Sequence, residues 1–309
     1  MDAFHLAGTV ALMLFGTFAF VDAVEALGQR LGLTRHATGA LLAAALTALP
    51  ETFIALVASL SGDGVRGEVG LASVLAAPSI TLLLGFPVLA ASGAAKVSPG
   101  QIVPLYAAFA IGASLLPVTI FLDGWAVRIA GLAYVAAYVP VARRIASEEG
   151  EPMEGRELAV IERLLGVRSI PVAFAQALAG VLSMTLGADH FISTVSVTVD
   201  PFAVTMLLSP LATCMEEVIV AFYWAVEGKG DAAASLLAGE NAIQATFVFG
   251  AGLLFTGIAP TLRGLSVVPV YVAGAAALIA CISTGRVRLS GAIAALYAVY
   301  LLVWSGTAF

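Results

Sequence analysis

Four glutamates lie inside strongly apolar stretches of the sequence, where a charged side chain is unusual. They are Glu51, Glu216, Glu217 and Glu240. A carboxylate at the centre of a bilayer costs about 3 kcal/mol or more on insertion scales, so it normally faces a partner or a water-filled cavity. The same stretches offer no evident Lys or Arg to neutralise them. Such carboxylates therefore either bind a cation or hold protons.

Two of these glutamates recur in matching surroundings. When the second half of the sequence is laid on the first, "LTALPETFIALVASLSGDG" aligns with "ATCMEEVIVAFYWAVEGKG". Thr47 then matches Thr213, and Glu51 matches Glu217. Residues four apart lie on one face of an α-helix, so each pair presents a hydroxyl beside a carboxylate. The match predicts an internal repeat.

The composition indicates which elements carry these residues. Of the 309 residues, 61% are hydrophobic and 11% are charged, and the mean hydropathy is +1.02. Ordinary globular domains are roughly half apolar and a quarter charged, so this chain departs towards membrane proteins. Its apolar runs reach about 18 residues or more, which is enough to cross a bilayer. Backbone groups in lipid must be satisfied within their own segment, which predicts helices.

Breaks at Gly, Pro and charged clusters predict ten spans. Their bounds are 4–29, 36–61, 68–93, 100–121, 124–142, 170–195, 201–226, 231–258, 266–283 and 289–306. The polar stretch "RRIASEEGEPMEGRELAVIERLLGVR" (143–168) separates five spans from five. We therefore expect an all-α polytopic membrane protein with ten transmembrane helices in two inverted five-helix repeats.

The positions of Lys and Arg predict the orientation, because cytoplasmic loops carry an excess of basic residues. With the polar stretch placed in the cytoplasm, only Arg66, Arg128 and Arg263 of the 14 basic residues lie outside. Both termini then lie outside as well. We expect an integral protein of a prokaryotic plasma membrane.

Several segments carry a family resemblance. "FVDAVEALGQRLGLTRHATGALLAAALTALPE" resembles the opening of the cation/calcium exchangers, including their sodium/calcium and proton/calcium branches. The family has two inverted halves, each with an alpha repeat built from a Pro-Glu-type motif and a Gly-Ser-Asn-x-x-Asn/Asp motif. "TALPE" (47–51) looks like the first motif of repeat one, and "TCMEE" (213–217), with Glu216 replacing proline, looks like its counterpart. "GENAIQ" (239–244) resembles the glycine-led motif of repeat two.

The resemblance divides the chain into three predicted parts. The first five-helix repeat is 1–142, with its alpha repeat at about 39–93. A charged cytoplasmic connector follows at 143–169. The second, inverted repeat is 170–309, with its alpha repeat at about 204–258.

Repeat one departs from the family pattern. The segment aligned with "GENAIQ" is "SVLAAP" (73–78), so the positions of the family's serine and asparagine ligands are apolar. The nearest polar side chains there are Ser73, Ser79 and Thr81. In repeat two, Glu240 takes the usual serine position and Gln244 the usual Asn/Asp position. The predicted site has lost symmetry and gained a carboxylate.

These residues predict a binding site for a hard divalent cation, which takes six to eight oxygen ligands. The predicted ion-binding residues are Glu51, Glu217 and Glu240, the three metal ligands, together with Thr47, Thr213 and Gln244. Auxiliary positions are Glu216, Asn241, Ser79, Asp22 and Asp189. The alternative for each carboxylate is a hydrogen bond between helices, and each threonine could instead bond back to its own helix. The two cysteines indicate neither a disulfide nor a zinc site.

The chemistry of the site favours antiport. Several carboxylates within a few ångströms cannot all stay ionised without a cation, so protons and cations compete for the same oxygens. The lost motif of repeat one and Gln244 both favour H⁺ over Na⁺ as the counter-ion of a Ca²⁺ antiporter. Alternatives are a Na⁺-coupled exchanger of another metal ion, a non-transporting sensor or scaffold with the exchanger fold, and an intramembrane metalloenzyme.

The last alternative is the weakest, because zinc favours Cys and His and no H-E-x-x-H spacing occurs. We expect no enzyme, no cofactor and no obligate protein partner. The expected partners are the transported cations and the lipid bilayer. Nucleic acid is not expected, because the sequence has no basic stripe.

Overall fold

The computed structural model describes residues 3–60, 64–155, 157–195 and 200–308. The regular secondary structure of these residues is helical, and their only bridge-like backbone pairing joins Thr34 to Pro152. The helical prediction is therefore confirmed. Helices before the connector are α1 (Ala3–Arg30), α2 (Arg35–Ala37), α3 (Ala44–Thr47), α4 (Leu49–Leu60), α5 (Gly64–Ala76), α6 (Pro78–Ile80), α7 (Phe86–Ala91), α8 (Pro99–Leu115) and α9 (Gly124–Ser147).

The connector contains one short helix, α10 (Val160–Leu165). The helices after it are α11 (Ile170–Val195), α12 (Pro201–Thr213), α13 (Met215–Val226), α14 (Gly230–Ile243), α15 (Phe249–Thr256), α16 (Leu262–Leu265), α17 (Val268–Ser283) and α18 (Ala294–Ala308). Wider π-helical turns join several of these segments at Thr38–Ala43, Thr81–Gly85 and Gln244–Val248. Tighter 3-10 turns lie at Leu116–Phe121 and Val287–Ile293.

Within the described residues, six segments are long and apolar enough to cross a membrane. They are Gly67–Ala91, Pro99–Phe121, Gly124–Ser147, Pro201–Val226, Leu262–Ser283 and Val287–Ser305. Each overlaps a predicted span, which confirms a polytopic helical membrane protein. The count of ten spans in two inverted repeats stays a prediction.

The two repeat-matched helices break at matching residues. Ala48 separates α3 from α4, and Cys214 separates α12 from α13. Their ψ angles are −5° and −6°, well away from the value of about −42° in an α-helix. Pro50 follows two residues after the first break, where a missing N–H costs no helical hydrogen bond. These breaks support the predicted internal repeat.

Helix α14 lies at the centre of the described structure, and nearly all of its residues are buried. It packs against the segment that carries Thr47 through two glycines. A Cβ atom on Gly39 would lie 2.4 Å from the carbonyl oxygen of Ala232, and one on Gly239 would lie 2.4 Å from Cα of Ala40. The small residues of "GALLAAAL" (39–46) therefore serve close helix packing.

The connector lies against the ends of the first two helical segments. The guanidinium of Arg30 donates to both carboxylate oxygens of Glu162, at 2.6 and 2.5 Å. This interaction holds the pKa of Glu162 at about 2, below its ordinary value of 4.5. Arg35 pairs with Glu151 at 2.7 Å. Charged pairs thus fasten the connector to one face of the helical bundle.

Candidate functional site

The four glutamates are all buried. Because the helices break just before them, Glu51 lies in the first turn of α4, and Glu216 and Glu217 lie in the first turn of α13. Glu240 lies inside α14. The N-terminus of a helix carries a partial positive charge, which favours carboxylates in its first turn. The breaks therefore reduce the cost of placing three of these groups away from water.

The glutamates gather in one place. Glu217 interacts electrostatically with Glu51, Glu216 and Glu240. The structure thus brings together the three predicted metal ligands and one predicted auxiliary residue, from both halves of the chain. A cluster of four carboxyl groups, each buried, requires either bound protons or a bound cation.

A hydrogen bond joins the two halves at Glu240. The hydroxyl of Thr47 lies 3.0 Å from Oε2 of Glu240, and Nε2 of Gln244 donates to its Oε1 at 3.0 Å. The Thr47 hydroxyl also lies 3.1 Å from the carbonyl oxygen of Ala43 in its own helix. Glu240, Thr47 and Gln244 therefore meet, as the sequence predicts, and they couple α14 to the first half.

Thr213 is placed differently from its repeat partner. Its hydroxyl donates to the carbonyl oxygen of Ser209, 3.0 Å away in the same helix. It also lies 3.5 Å from Sγ of Cys214. The hydroxyl hydrogen of Thr213 is thus donated to the backbone of its own helix, while the hydroxyl oxygen lies beside Cys214. The ligand role of Thr213 stays a prediction.

Sequence reasoning missed Cys214. Its thiol is fully buried and donates to Oε1 of Glu51 at 3.3 Å. One ligand atom from each of Glu51, Cys214 and Glu217 lies within 4.8 Å of the others. The sequence signal that could have indicated Cys214 is its position directly after Thr213, one of the two repeat-matched threonines.

Several buried oxygen atoms of the cluster have no hydrogen-bond partner among the described residues. They are Oε2 of Glu51, both carboxylate oxygens of Glu216 and of Glu217, and Oε1 of Gln244. Ion pairs among the described residues involve other carboxylates, such as those of Glu162, Asp22, Glu25 and Asp200. Buried polar atoms are normally hydrogen-bonded, so these oxygen atoms are available to protons, water or a cation.

Asn241 extends this cluster towards repeat one. Its Oδ1 accepts from the hydroxyl of Thr81 at 3.2 Å, and its Nδ2 donates to the carbonyl oxygen of Leu237 at 2.7 Å. Ser79 is fully buried two residues before Thr81, whereas Ser73 bonds to Ser209 at 2.5 Å. Thr81 thus follows the apolar segment 73–78 of repeat one, and its hydroxyl provides a polar contact to Asn241.

Of the predicted auxiliary residues, Asp22 lies away from the glutamate cluster, and the side chain of Asp189 is not among those described. Asp22 accepts from the backbone N–H of Val160 at 2.6 Å and pairs with Arg163 at 3.3 Å. It therefore binds the connector. Asp189 belongs to α11, but its side chain lies outside the described side chains.

Comparisons with known proteins place the chain beside cation exchangers. The sodium/calcium exchanger protein family matches residues 3–142, which is the predicted first repeat. No curated protein matches the chain in sequence. The exchanger family consists of transporters rather than enzymes, which agrees with the expectation from the sequence.

Solved structures match the fold over nearly the whole chain. One is the sodium-calcium exchanger NCX_Mj soaked with 10 mM Na⁺ and zero Ca²⁺, with a TM-score of 0.73, 16% identity, and coverage of 97% of each chain. Another is the same exchanger soaked with 2.5 mM Na⁺ and 0.1 mM Sr²⁺, with a TM-score of 0.72, 16% identity, and coverage of 98% of this chain and 99% of that chain. At this identity the likeness shows the fold. The family match over residues 3–142 and the fold match over nearly the whole chain confirm the predicted resemblance of this helical membrane protein to the cation/calcium exchanger superfamily.

Proposed function

We propose that the chain is a secondary active antiporter that moves a divalent cation, with Ca²⁺ as the first candidate, in exchange for H⁺ or Na⁺. The observation that carries this proposal is the buried cluster of Glu51, Glu217 and Glu240, drawn from both halves, in which oxygen atoms of Glu51 and Glu217 have no hydrogen-bond partner among the described residues. Thr47, Thr213 and Gln244 complete the proposed ion-binding set, and Glu216, Asn241 and Ser79 support it. Because the cluster is buried, ions reach it only by alternating access around it.

We propose H⁺ as the preferred counter-ion. Protons and a divalent cation compete directly for the same carboxylate oxygens, so no further ion site is needed. The segment "SVLAAP" supports this preference, because Val74, Leu75 and Pro78 are buried and apolar where the family has polar ligands. Sodium coupling would need additional small-ion sites in that region.

The proposed membrane arrangement is that of two inverted five-helix repeats, 1–142 and 170–309, joined by the cytoplasmic connector 143–169. The matching breaks at Ala48 and Cys214 support the repeat. The charged pairs of Arg30 and Arg35 with connector residues support one shared face for the basic residues assigned to the cytoplasm. Both termini then lie outside.

The test uses the purified full-length chain in liposomes on a solid-supported membrane. Currents are recorded after pulses of Ca²⁺, Mg²⁺, Mn²⁺ or Na⁺, with and without a pH gradient. Proton-coupled calcium antiport gives a calcium-evoked current that shifts with pH and ignores Na⁺. An obligatory sodium requirement would instead support a Na⁺-coupled exchanger.

Variants locate the site within the same assay. Glu51→Gln and Glu217→Gln are expected to abolish the current, because each removes a carboxylate from the cluster. Glu68→Gln is the matched control, since Glu68 is an exposed glutamate of α5. Unchanged flux in both cluster variants would remove the site assignment.

The buried apolar segment of repeat one also favours a second candidate, a non-transporting sensor or scaffold. It would bind cations at the same glutamates but carry no current. Calcium binding measured by calorimetry in detergent, combined with silent liposomes, would select this candidate over antiport.

A further inference from the structure

Cys214 lies among the residues of the proposed ion site. An inference from its position rests on the proposed function only because it uses the same carboxylates. Its Sγ atom lies 3.3 Å from Oε1 of Glu51 and 3.8 Å from Nε2 of Gln244. The three residues Glu51, Cys214 and Gln244 come from α4, the break before α13, and the π-helical turn after α14. A sulfur atom therefore lies where segments of both halves meet.

We propose that Cys214 is a ligand of the cation site and that its thiol extends the range of the site to thiophilic divalent cations of the zinc or cadmium class, beside the Ca²⁺ of the proposed function. Sulfur ligands favour soft and borderline metals, whereas carboxylate and carbonyl oxygens suit Mg²⁺, Ca²⁺ and Mn²⁺. One thiol among carboxylates shifts the preference of the whole set towards the softer ions.

A second observation points independently to a ligand at this place. Both carboxylate oxygens of Glu217, a fully buried side chain, lack a hydrogen-bond partner among the described residues, and so does Oε2 of Glu51. One atom of each joins Sγ of Cys214 in a group whose members lie within 4.8 Å of one another. Two buried carboxylates thus lie close to one sulfur atom, and each has an oxygen without a hydrogen-bond partner among the described residues.

The spacing suits a compact, low-coordination ion. Zinc–sulfur and zinc–oxygen bonds of about 2.0–2.3 Å place tetrahedral ligands roughly 3.3–3.8 Å apart. Ligand atoms within 4.8 Å of one another reach that spacing with modest side-chain rotation. The Oε1 atom of Gln244, which also lacks a partner among the described residues, is a candidate for a fourth ligand. A calcium ion needs six to eight oxygens, and the sulfur atom takes one of their places.

The test is a cadmium titration of the purified full-length protein in detergent. Cadmium bound to a thiolate gives an ultraviolet charge-transfer band. We expect one equivalent of this band in the wild type, its loss in Cys214→Ser, and its retention in Cys281→Ser, because Cys281 lies in α17 and is only half-buried. The affinity for Cd²⁺ should fall at least tenfold in Cys214→Ser, while the affinity for Ca²⁺ should stay equal or rise.

Further measurements keep the inference falsifiable. A melting curve of Cys214→Ser with and without Ca²⁺ checks that this variant folds and binds. In Glu217→Gln the cadmium band should require a higher Cd²⁺ concentration, which separates a shared site from an isolated thiol. Absence of the band in the wild type, its persistence in Cys214→Ser, or an unchanged ratio of Cd²⁺ to Ca²⁺ affinity would overturn the inference.

The outcomes also separate this inference from the proposed function. Calcium-evoked currents without a Cys214-dependent cadmium band leave antiport standing and remove the thiol ligand. A Cys214-dependent band in a protein that gives no current with any cation supports the thiol ligand and removes antiport.

Discussion

The contact between Gly239 and Ala40 offers a sharp test of how the site is held. Gly239 directly precedes Glu240, and Ala40 lies in the segment that leads to Thr47. A Cβ atom on Gly239 would lie 2.4 Å from Cα, 2.5 Å from the carbonyl oxygen and 2.8 Å from the carbonyl carbon of Ala40. All three neighbours are backbone atoms, so no side chain can rotate away. Gly239→Ala must therefore push the two helical segments apart.

The size of the effect follows from these distances. Ordinary contact begins near 3.4 Å, so the segments must separate by about 1 Å, and overpacking of this kind costs typically 1–3 kcal/mol. With an unfolding entropy of about 2.1 cal/mol/K per residue, the melting temperature should fall by roughly 2–5 °C. The 3.0 Å bond between Thr47 and Glu240 spans the same contact. It would lengthen to about 4 Å, beyond hydrogen-bond range.

The assay combines thermal unfolding of the purified protein, followed by tryptophan fluorescence, with calcium binding by calorimetry. Gly100→Ala is the matched control, because a Cβ atom on Gly100 meets no atom within 4 Å. Alanine is the better helix former, so this control should melt at the same temperature or slightly higher. Equal melting temperatures and equal cation affinities for both variants would refute the argument that this contact fixes the site.

Two further predictions concern the threonine and the connector. Thr47→Val should weaken cation binding roughly tenfold or more in calorimetry, because hydrogen bonds to charged groups contribute about 1.5–3 kcal/mol. The same change at Thr205, whose hydroxyl bonds to its own helix on the surface, should leave binding unaltered. The attachment of the connector to α1 should depend on pH, because Arg30 lowers the pKa of Glu162 from 4.5 to about 2. A lowered pKa stabilises the attached state fully above about pH 4.5, and this contribution is lost as the pH falls towards 2. Hydrogen exchange at the amides of α10 should show protection declining over that window, and already reduced at pH 7 in Arg30→Gln. Protection that rises in acid, or that survives in Arg30→Gln, would contradict this assignment.

The membrane segments were predictable because their signals are local. Helix α9 begins at Gly124 and α11 begins at Ile170, both where predicted, since apolar runs and their Gly, Pro and charged boundaries can be read directly. The break before Glu51 also has a local signal, the proline at position 50. The wider turn at Gln244–Val248 has no such local signal, because it depends on how α14 packs against its neighbours.

The site was predictable only as far as the repeat extends. The match of Thr47 and Glu51 with Thr213 and Glu217 predicts a shared site, and "GENAIQ" adds Glu240 and Gln244. Cys214 has no such mark, because a single cysteine in an apolar run is usually a small packing residue. The partners of Asp22 were equally hidden. They lie in the connector, far along the sequence, and long-range pairing between charged surface groups leaves no pattern in one sequence.

The burial of α14 has a consequence for how the chain is made. This helix is enclosed by protein almost everywhere, and it carries Glu240 and Asn241 in its last turn. A segment with such side chains is unfavourable as a lone helix in lipid. Glu240 accepts a hydrogen bond from Thr47, which lies in the first half of the chain and is therefore synthesised much earlier. Membrane insertion of Gly230–Ile243 therefore depends on an already assembled first half, and a second half expressed alone should fail to retain this helix in the bilayer.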